Sequence, residues 1–297
     1  AGNAGAADTS ADSGAVTTDL TVPTLSNIVE ATSGSGNANN GDSVSLTITA
    51  SEAIQQPTCT YSSGGAAMAS TPTYSGSGTS WTSSIAVADG DTNGAVTFSC
   101  AYSDLAGNAG VADTTPNSGD VTVDNTHPTL SAAVLAIGGS GNGNNGDSMT
   151  LTITPSETIG TPTCTFTSGG AAMANTVSYS TSGGDHICTI AVADADTNGA
   201  VAFTVDFSDS AGNAGTQVTS ATSGAVTIDN THPTISAVSA AWGTHLNAAE
   251  DNSAGTVTVT TSGAEDGQTV TTTINGVTDT CSVSSNSCAV TVAASDL

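Results

Sequence analysis

The chain repeats itself with a period of 105 residues, and two copies run without insertion or deletion. Ala106-Gly107-Asn108-Ala109-Gly110 recurs 105 residues later at Ala211-Gly212-Asn213-Ala214-Gly215, and the chain opens with Ala1-Gly2-Asn3-Ala4-Gly5. Pro23, Pro128 and Pro233 keep the same spacing. Self-similarity at this length means a string of equal modules, each with its own core, rather than one fused globule. The divisions read as follows: 1–22, an orphan stretch that is the end of a preceding domain or a donor strand; 23–127 and 128–232, two full copies; and 233–297, a divergent third copy, incomplete in this chain.

Inside a copy the apolar period is two. Val44, Leu46 and Ile48 alternate with Ser45, Thr47 and Thr49, and Met149, Leu151 and Ile153 stand one repeat later. Val96, Phe98, Cys100 and Tyr102 correspond to Val201, Phe203, Val205 and Phe207. Alternation with β-branched residues marks half-buried strands, and no stretch carries a 3.6 period. Clusters such as Gly141-Asn142-Gly143-Asn144-Asn145-Gly146 supply the turns. One copy predicts strands over 24–31, 44–51, 57–63, 71–76, 81–88, 95–103 and 119–124. Seven short antiparallel strands in that length predict an all-β fold of tandem immunoglobulin-like sandwiches, arranged as a rod or fibre.

Charge narrows the function. The chain has no lysine or arginine, 26 acidic side chains and four histidines, for a formal net charge of −26. Nucleic-acid binding and polybasic docking to lipid need cations the chain lacks, and so does a P-loop. The carboxylates must be screened by solvent, salt or bound cations. No apolar run is long enough to span a bilayer. No secretion leader is visible, so the sequence reads as a mature product or a cut from something longer. No G-x-S-x-G or H-E-x-x-H motif occurs, and the expectation is a protein that is not an enzyme.

The stretch 41–52 (Gly-Asp-Ser-Val-Ser-Leu-Thr-Ile-Thr-Ala-Ser-Glu), Ser103-Asp104-Leu105-Ala106-Gly107-Asn108 and Asp124-Asn125-Thr126-His127-Pro128-Thr129 resemble the bacterial and archaeal Ig-like repeats of giant secreted adhesins and biofilm-type surface proteins. The resemblance implies a secreted or surface-attached prokaryotic stalk. Its partners would be flanking domains, end-to-end copies of itself, or a cell-surface or matrix target.

The two ends of the sequence complement each other. The third copy stops nine residues after Cys288, before a sixth strand, while Ser13-Gly14-Ala15-Val16 parallels Ser223-Gly224-Ala225-Val226 without a domain of its own. Ser295-Asp296-Leu297 followed by Ala1-Gly2-Asn3 would reproduce Ser103–Asn108. Two accounts fit: a window cut from a long array, or a filament in which residues 1–22 of one copy add strands to the third domain of the next.

Six cysteines, two per copy, predict disulfides in an oxidising, extracellular setting. Cys59 and Cys100 lie on strands that neighbour each other in an Ig-type sheet. Cys164 occupies the place of Cys59, but Val205 stands where Cys100 does, which leaves Cys188 as its partner. Cys281 and Cys288 enclose a short hairpin; buried free thiols are the blander alternative. Asp89-Gly90-Asp91-Thr92-Asn93-Gly94 and Asp194-Ala195-Asp196-Thr197-Asn198-Gly199 have the D-x-D-x-N-G spacing of a calcium loop, without its glutamate at the twelfth position. The alternative is a polar turn in which Asn-Gly supplies positive φ. In an Ig sandwich this loop lies beside the linker Asp124-Asn125, towards which the next domain presents Glu157, Asp209 and Asn213. Calcium at these junctions is therefore the expected cofactor, stiffening a rod.

Overall fold

The computed structural model describes residues 17–139, 141–247 and 252–297. Two tandem immunoglobulin-like β-sandwiches are followed by a smaller β unit, and among the described residues no helix is long and apolar enough to cross a membrane.

The first sandwich contains β1 (Leu25–Thr32), β2 (Ser43–Ala50), β3 (Thr58–Ser63), β4 (Ala66–Ala67), β5 (Thr73–Ser77), β6 (Ser80–Ala86), β7 (Gly94–Ala101) and β8 (Thr122–Val123). One sheet has the order β1-β2-β6-β5 and the other β4-β3-β7-β8, with every ladder between these strands antiparallel. The second sandwich repeats this with β9 (Leu130–Ile137), β10 (Ser148–Pro155), β11 (Thr163–Ser168), β12 (Ala171–Ala172), β13 (Ser178–Ser182), β14 (Asp185–Ala191), β15 (Gly199–Asp206) and β16 (Thr227–Ile228). Its sheets are β13-β14-β10-β9 and β12-β11-β15-β16.

Period two is what builds these sheets. In β2 the residues Val44, Leu46 and Ile48 are fully buried, while Ser45, Thr47 and Thr49 lie on the other face. With few aromatics available, branched aliphatic residues from both sheets fill the space between them. Register is fixed at points that the two copies share. A bulge falls between Leu25 and Asn27 in β1 and between Leu130 and Ala132 in β9, on the same ladder of each copy. Gly64 (φ +54°) and Gly94 (φ +137°) approach so closely that a Cβ on Gly94 would meet the Gly64 backbone, as it would for Gly199 on Gly169.

The third unit comprises β17 (Thr234–Ala240), β18 (Gly255–Ser262), β19 (Thr269–Ile274), β20 (Val277–Ser282) and β21 (Ser287–Val292). Its sheets are β17-β18-β21 and the hairpin β19-β20, packed over Val257, Val259, Val290 and Val292. A single 3₁₀ turn follows at Ala294–Asp296. There Asp296 N donates to Ala293 O at 3.0 Å, repeating Asp91 N to Ala88 O and Asp196 N to Ala193 O, both also 3.0 Å. Asp296 therefore stands where Asp91 and Asp196 stand, in the turn after the fifth long strand. The expected read-through, with Asp296 in the place of Asp104, is corrected by this hydrogen bond.

The strands differ from the sequence expectation mainly at their ends. The short β4 has no alternating pattern to announce it, and the last strand of each sandwich keeps only two residues. The disulfides join Cys59 to Cys100, Cys164 to Cys188 and Cys281 to Cys288, and no cysteine is free.

Candidate functional site at the junctions

The acidic loops after β6 and β14 are built as turns. Asp91 is buried, and its two carboxylate oxygens accept Ala69 N at 2.8 Å and Ala88 N at 2.9 Å. Asp196 does the same with Ala174 N and Ala193 N, both at 2.8 Å. A carboxylate that satisfies two otherwise orphaned amides is a structural cap. Asp89 and Asp194 are exposed.

The loop asparagines clasp the linker. Asn93 Nδ2 donates to Thr126 Oγ1 at 2.6 Å and to Asp124 Oδ1 at 3.3 Å, while its Oδ1 accepts Asn125 N at 2.8 Å. Asn125 Nδ2 donates to Ala88 O at 3.0 Å and Asp91 O at 3.2 Å. Asn198, Asp229, Asn230 and Thr231 reproduce this set one repeat on. The D-x-D-x-N spacing thus yields a clasp that carries the chain from one sandwich into the next.

The linker carboxylate does converge with others. Asp124, Glu157 and Asp209 offer oxygens that all lie within 4.8 Å of one another, and so do Asp19, Glu52 and Asp104. The two triads are the same site one repeat apart. Sequence reading named the first triad and missed the second, although subtracting 105 from each number finds it.

The triad aspartates are placed by hydrogen bonds from neighbouring backbone amides. Asp209, three residues after β15, is buried; its Oδ1 accepts Gly212 N at 2.8 Å and Asn213 N at 2.9 Å, and its Oδ2 accepts Asn213 Nδ2 at 2.9 Å. Asn213 Nδ2 also donates across the junction to Asp124 O at 2.7 Å. His127 Nδ1 donates to Ala214 O at 2.8 Å, a second bond from the linker to the same turn. At the start of the first sandwich Asn108 Nδ2 bonds Asp104 Oδ2 at 2.7 Å and Asp19 O at 3.1 Å. Residues 17–22 are therefore seated on the first sandwich as the linker 122–127 is seated on the second.

Like charges gather here with no lysine or arginine to balance them. Desolvation, then Asp209 and Asp124, hold the Glu157 carboxyl above its ordinary range; for Glu52 the causes are desolvation, then Asp19 and Asp104. Asp104 is held low, chiefly by the Asn108 side chain. Three oxygen donors of which one resists ionisation form an arrangement that a hard cation would relieve.

No protein-family model matches the chain, and no curated protein matches it. Among solved structures, the I-band fragment I67–I69 of titin is similar over 93% of this chain and 89% of its own, at 10% identity and a TM-score of 0.44. A marsupial T cell receptor is similar over 89% and 92%, at 14% identity and a TM-score of 0.39. The I9–I11 tandem of titin covers 91% of this chain and 89% of its own, at 9% identity and a TM-score of 0.36. These likenesses concern fold, which here rests on the strand order and pairing described above.

Proposed function

We propose that the chain is a structural and adhesive segment of a secreted, surface-attached prokaryotic stalk or fibre, built from Ig-like repeats whose junctions are stiffened by calcium. The observation that carries this reading is the joint itself, made twice with the same residues: Asp19, Glu52, Asp104 and Asn108, then Asp124, Glu157, Asp209 and Asn213. A repeated, hydrogen-bonded joint suits a protein whose work is reach and toughness, and three disulfides suit an extracellular setting. The absence of lysine and arginine also removes every trypsin-type cleavage site. The cation would be held by the triad carboxylates, with water completing its shell.

Small-angle scattering in calcium and in chelator tests the reading. Calcium is expected to lengthen and stiffen the particle, and the double substitution Asp124→Asn with Glu157→Gln is expected to abolish the response. An unchanged scattering curve in calcium and chelator removes calcium from the proposal.

A second reading is favoured by a separate observation. The strand β17 is exposed along nearly its whole length, with Ile235 at 59% and Val238 at 61% exposure. An unpaired apolar edge is suited to β-strand addition, and residues 1–22 of a neighbouring copy would supply the strand of an end-to-end filament.

A further inference from the structure

Two places in the third unit lack what the first two sandwiches have. The first is the outer edge of β17. Ile28, Ala133 and Val238 are the same repeat position, paired with Ile48, Ile153 and Val259 after the same bulge. Ile28 and Ala133 are 0% and 1% exposed, yet Val238 is 61% exposed. In the first sandwich the segment after the Ala-Gly-Asn turn covers this edge: Glu30 N donates to Ser118 O at 2.9 Å and Asn117 N to Ile28 O at 2.8 Å. In the second, Leu135 N donates to Ser223 O at 3.1 Å and Thr222 N to Ala133 O at 2.8 Å. Among the described residues nothing does this for β17.

The second place is a cavity of about 530 Å³ between the second sandwich and the third unit, lined by Gly141, Asn144, Asp229, His232 and Glu265 among others. One repeat earlier Gly36, Asn39, Asp124 and His127 hold the turn Asp209–Ala214. Asn213 Nδ2 sits on Asp124 O and His127 Nδ1 donates to Ala214 O. A Cβ on Gly36 would come within 2.7 Å of Ser210 O, and a Cβ on Gly212 within 3.1 Å of Asn39 Nδ2. A Cβ on Gly141 would meet nothing within 4 Å. Gly141, Asn144, Asp229 and His232 repeat Gly36, Asn39, Asp124 and His127, and among the described residues no turn occupies this place.

In the second sandwich one continuous segment, 211–228, fills both places; in the first, 106–123 covers the edge of β1 while its Asn108 holds Asp19 O. Residues 1–18 are the third copy of this segment: in Ala1-Gly2-Asn3-Ala4-Gly5 and Ser13-Gly14-Ala15-Val16 the serine follows the asparagine by ten positions, as Ser118 follows Asn108 and Ser223 follows Asn213. They lie outside the described residues except for 17 and 18. The chain's own copy is out of reach. Asn108 holds Asp19 at the start of the first sandwich. Eighteen residues span at most roughly 60 Å, whereas two sandwiches of roughly 35–45 Å each separate that point from β17.

We propose that residues 1–18 of a second copy dock on the third unit in this register. Asn3 enters the cavity, its Nδ2 on Asp229 O, and Ala4 O accepts from His232 Nδ1. Ser13 lies along β17 with its carbonyl on Ala240 N, and Gly14 passes over the Ala240 carbonyl. Gly119 and Gly224 pass over Glu30 and Leu135 in this way, at φ +85° and +84° and so close that an added Cβ would strike the carbonyl oxygen. The inference rests on the strand-donation reading and adds a seat and a register to it.

Sedimentation of the 297-residue chain over a range of concentrations, with fluorescence anisotropy of a labelled peptide of residues 1–22, tests it. The wild-type chain is expected to form oligomers that grow with concentration. The Gly14→Ala chain is expected to stay monomeric and to take up one wild-type peptide per chain. An Asn3→Ala peptide, or an acceptor also carrying His232→Ala, is expected to bind roughly tenfold more weakly, as loss of one interfacial hydrogen bond implies. A Gly14→Ala peptide should not bind. A monomeric wild-type chain that ignores the peptide overturns strand donation and the seat together. Binding or assembly that is indifferent to Gly14→Ala and Asn3→Ala leaves strand donation standing and overturns the seat and register.

Discussion

The first and second sandwiches have the same strand order and the same joints, yet their cores are solved differently. In the first, Cys59–Cys100 ties β3 to β7 within one sheet, and Glu30, Tyr61 and Ser83 are buried with Tyr61 Oη donating to Ser83 Oγ at 2.8 Å. In the second, Leu135, Phe166 and Cys188 hold those positions, Val205 replaces Cys100, and Cys164–Cys188 crosses from β11 to β14 between the sheets. What stays constant is peripheral: the bulge, the glycine pairs, the buried aspartate caps and the asparagine clasps. The comparison teaches that this fold is specified by turns and joints. Its interior accepts alternative fillings of similar volume, even one that leaves Glu30 Oε1 without a partner.

The harshest way to break that equivalence is to move the buried acid. Leu135→Glu places a carboxylate in the second sandwich, where Phe166 and a bridged Cys188 offer no hydroxyl. The expected loss is about 3 kcal/mol or more, because the carboxylate is desolvated among the apolar side chains of this core. Hydrogen exchange of the β10 and β14 amides is expected to accelerate while that of β2 and β6 stays unchanged.

Next in size is the bridge between the sheets. The double substitution Cys164→Ala with Cys188→Ala frees a link of sequence separation 24 and is expected to cost about 3 kcal/mol. In calorimetry the second sandwich should then melt roughly 10–20 °C earlier, with the first unaffected. Equal shifts in both sandwiches would show that they unfold as one unit and sink the picture of independent cores.

The sequence made much of this legible because the repeat doubles every local signal. Alternation at 44–49 and again at 149–154 locates strands that a single copy would leave ambiguous, and Val205 opposite Cys164 shows that the two bridges must differ. The roles of Asp91 and Asn93 were not legible. The D-x-D-x-N spacing is shared by calcium loops and by aspartate-capped turns, and the choice depends on whether Ala69 N and Ala88 N reach the carboxylate first. Those amides come from different parts of the chain, so only the fold brings them together. The place of Asp296 is ambiguous for a similar reason: Ser295-Asp296-Leu297 copies Ser103-Asp104-Leu105, whereas its distance from Cys288 matches that of Asp196 from Cys188, and the hydrogen bond to Ala293 O assigns it to the turn.

The smallest expected effect concerns Glu30, and pH makes it specific. Glu30 is 4% exposed; its Oε2 accepts Val121 N at 3.1 Å and its Oε1 has no partner. Burial pushes its carboxyl above the ordinary range, the Val121 amide opposes this, and Asp120 reinforces it. Tyr61 in the facing sheet, its phenol pushed up to about 12 by burial, stays neutral beside it. A carboxyl raised on folding contributes stability that is fully present below its unfolded pKa and lost as pH rises through its folded one. Glu30→Leu, which copies the second sandwich, is therefore expected to stabilise the first by about 1 kcal/mol at pH 7, since it removes a half-satisfied buried acid. The gain should shrink on acidification to pH 4, where Glu30 is protonated in the parent as well. Trp81 lies in the first sandwich, and a Trp242→Phe background makes its fluorescence report that domain alone. A gain that is equal at both pH values would mean that Glu30 does not titrate in this range, and the contrast between the cores would then be one of shape alone.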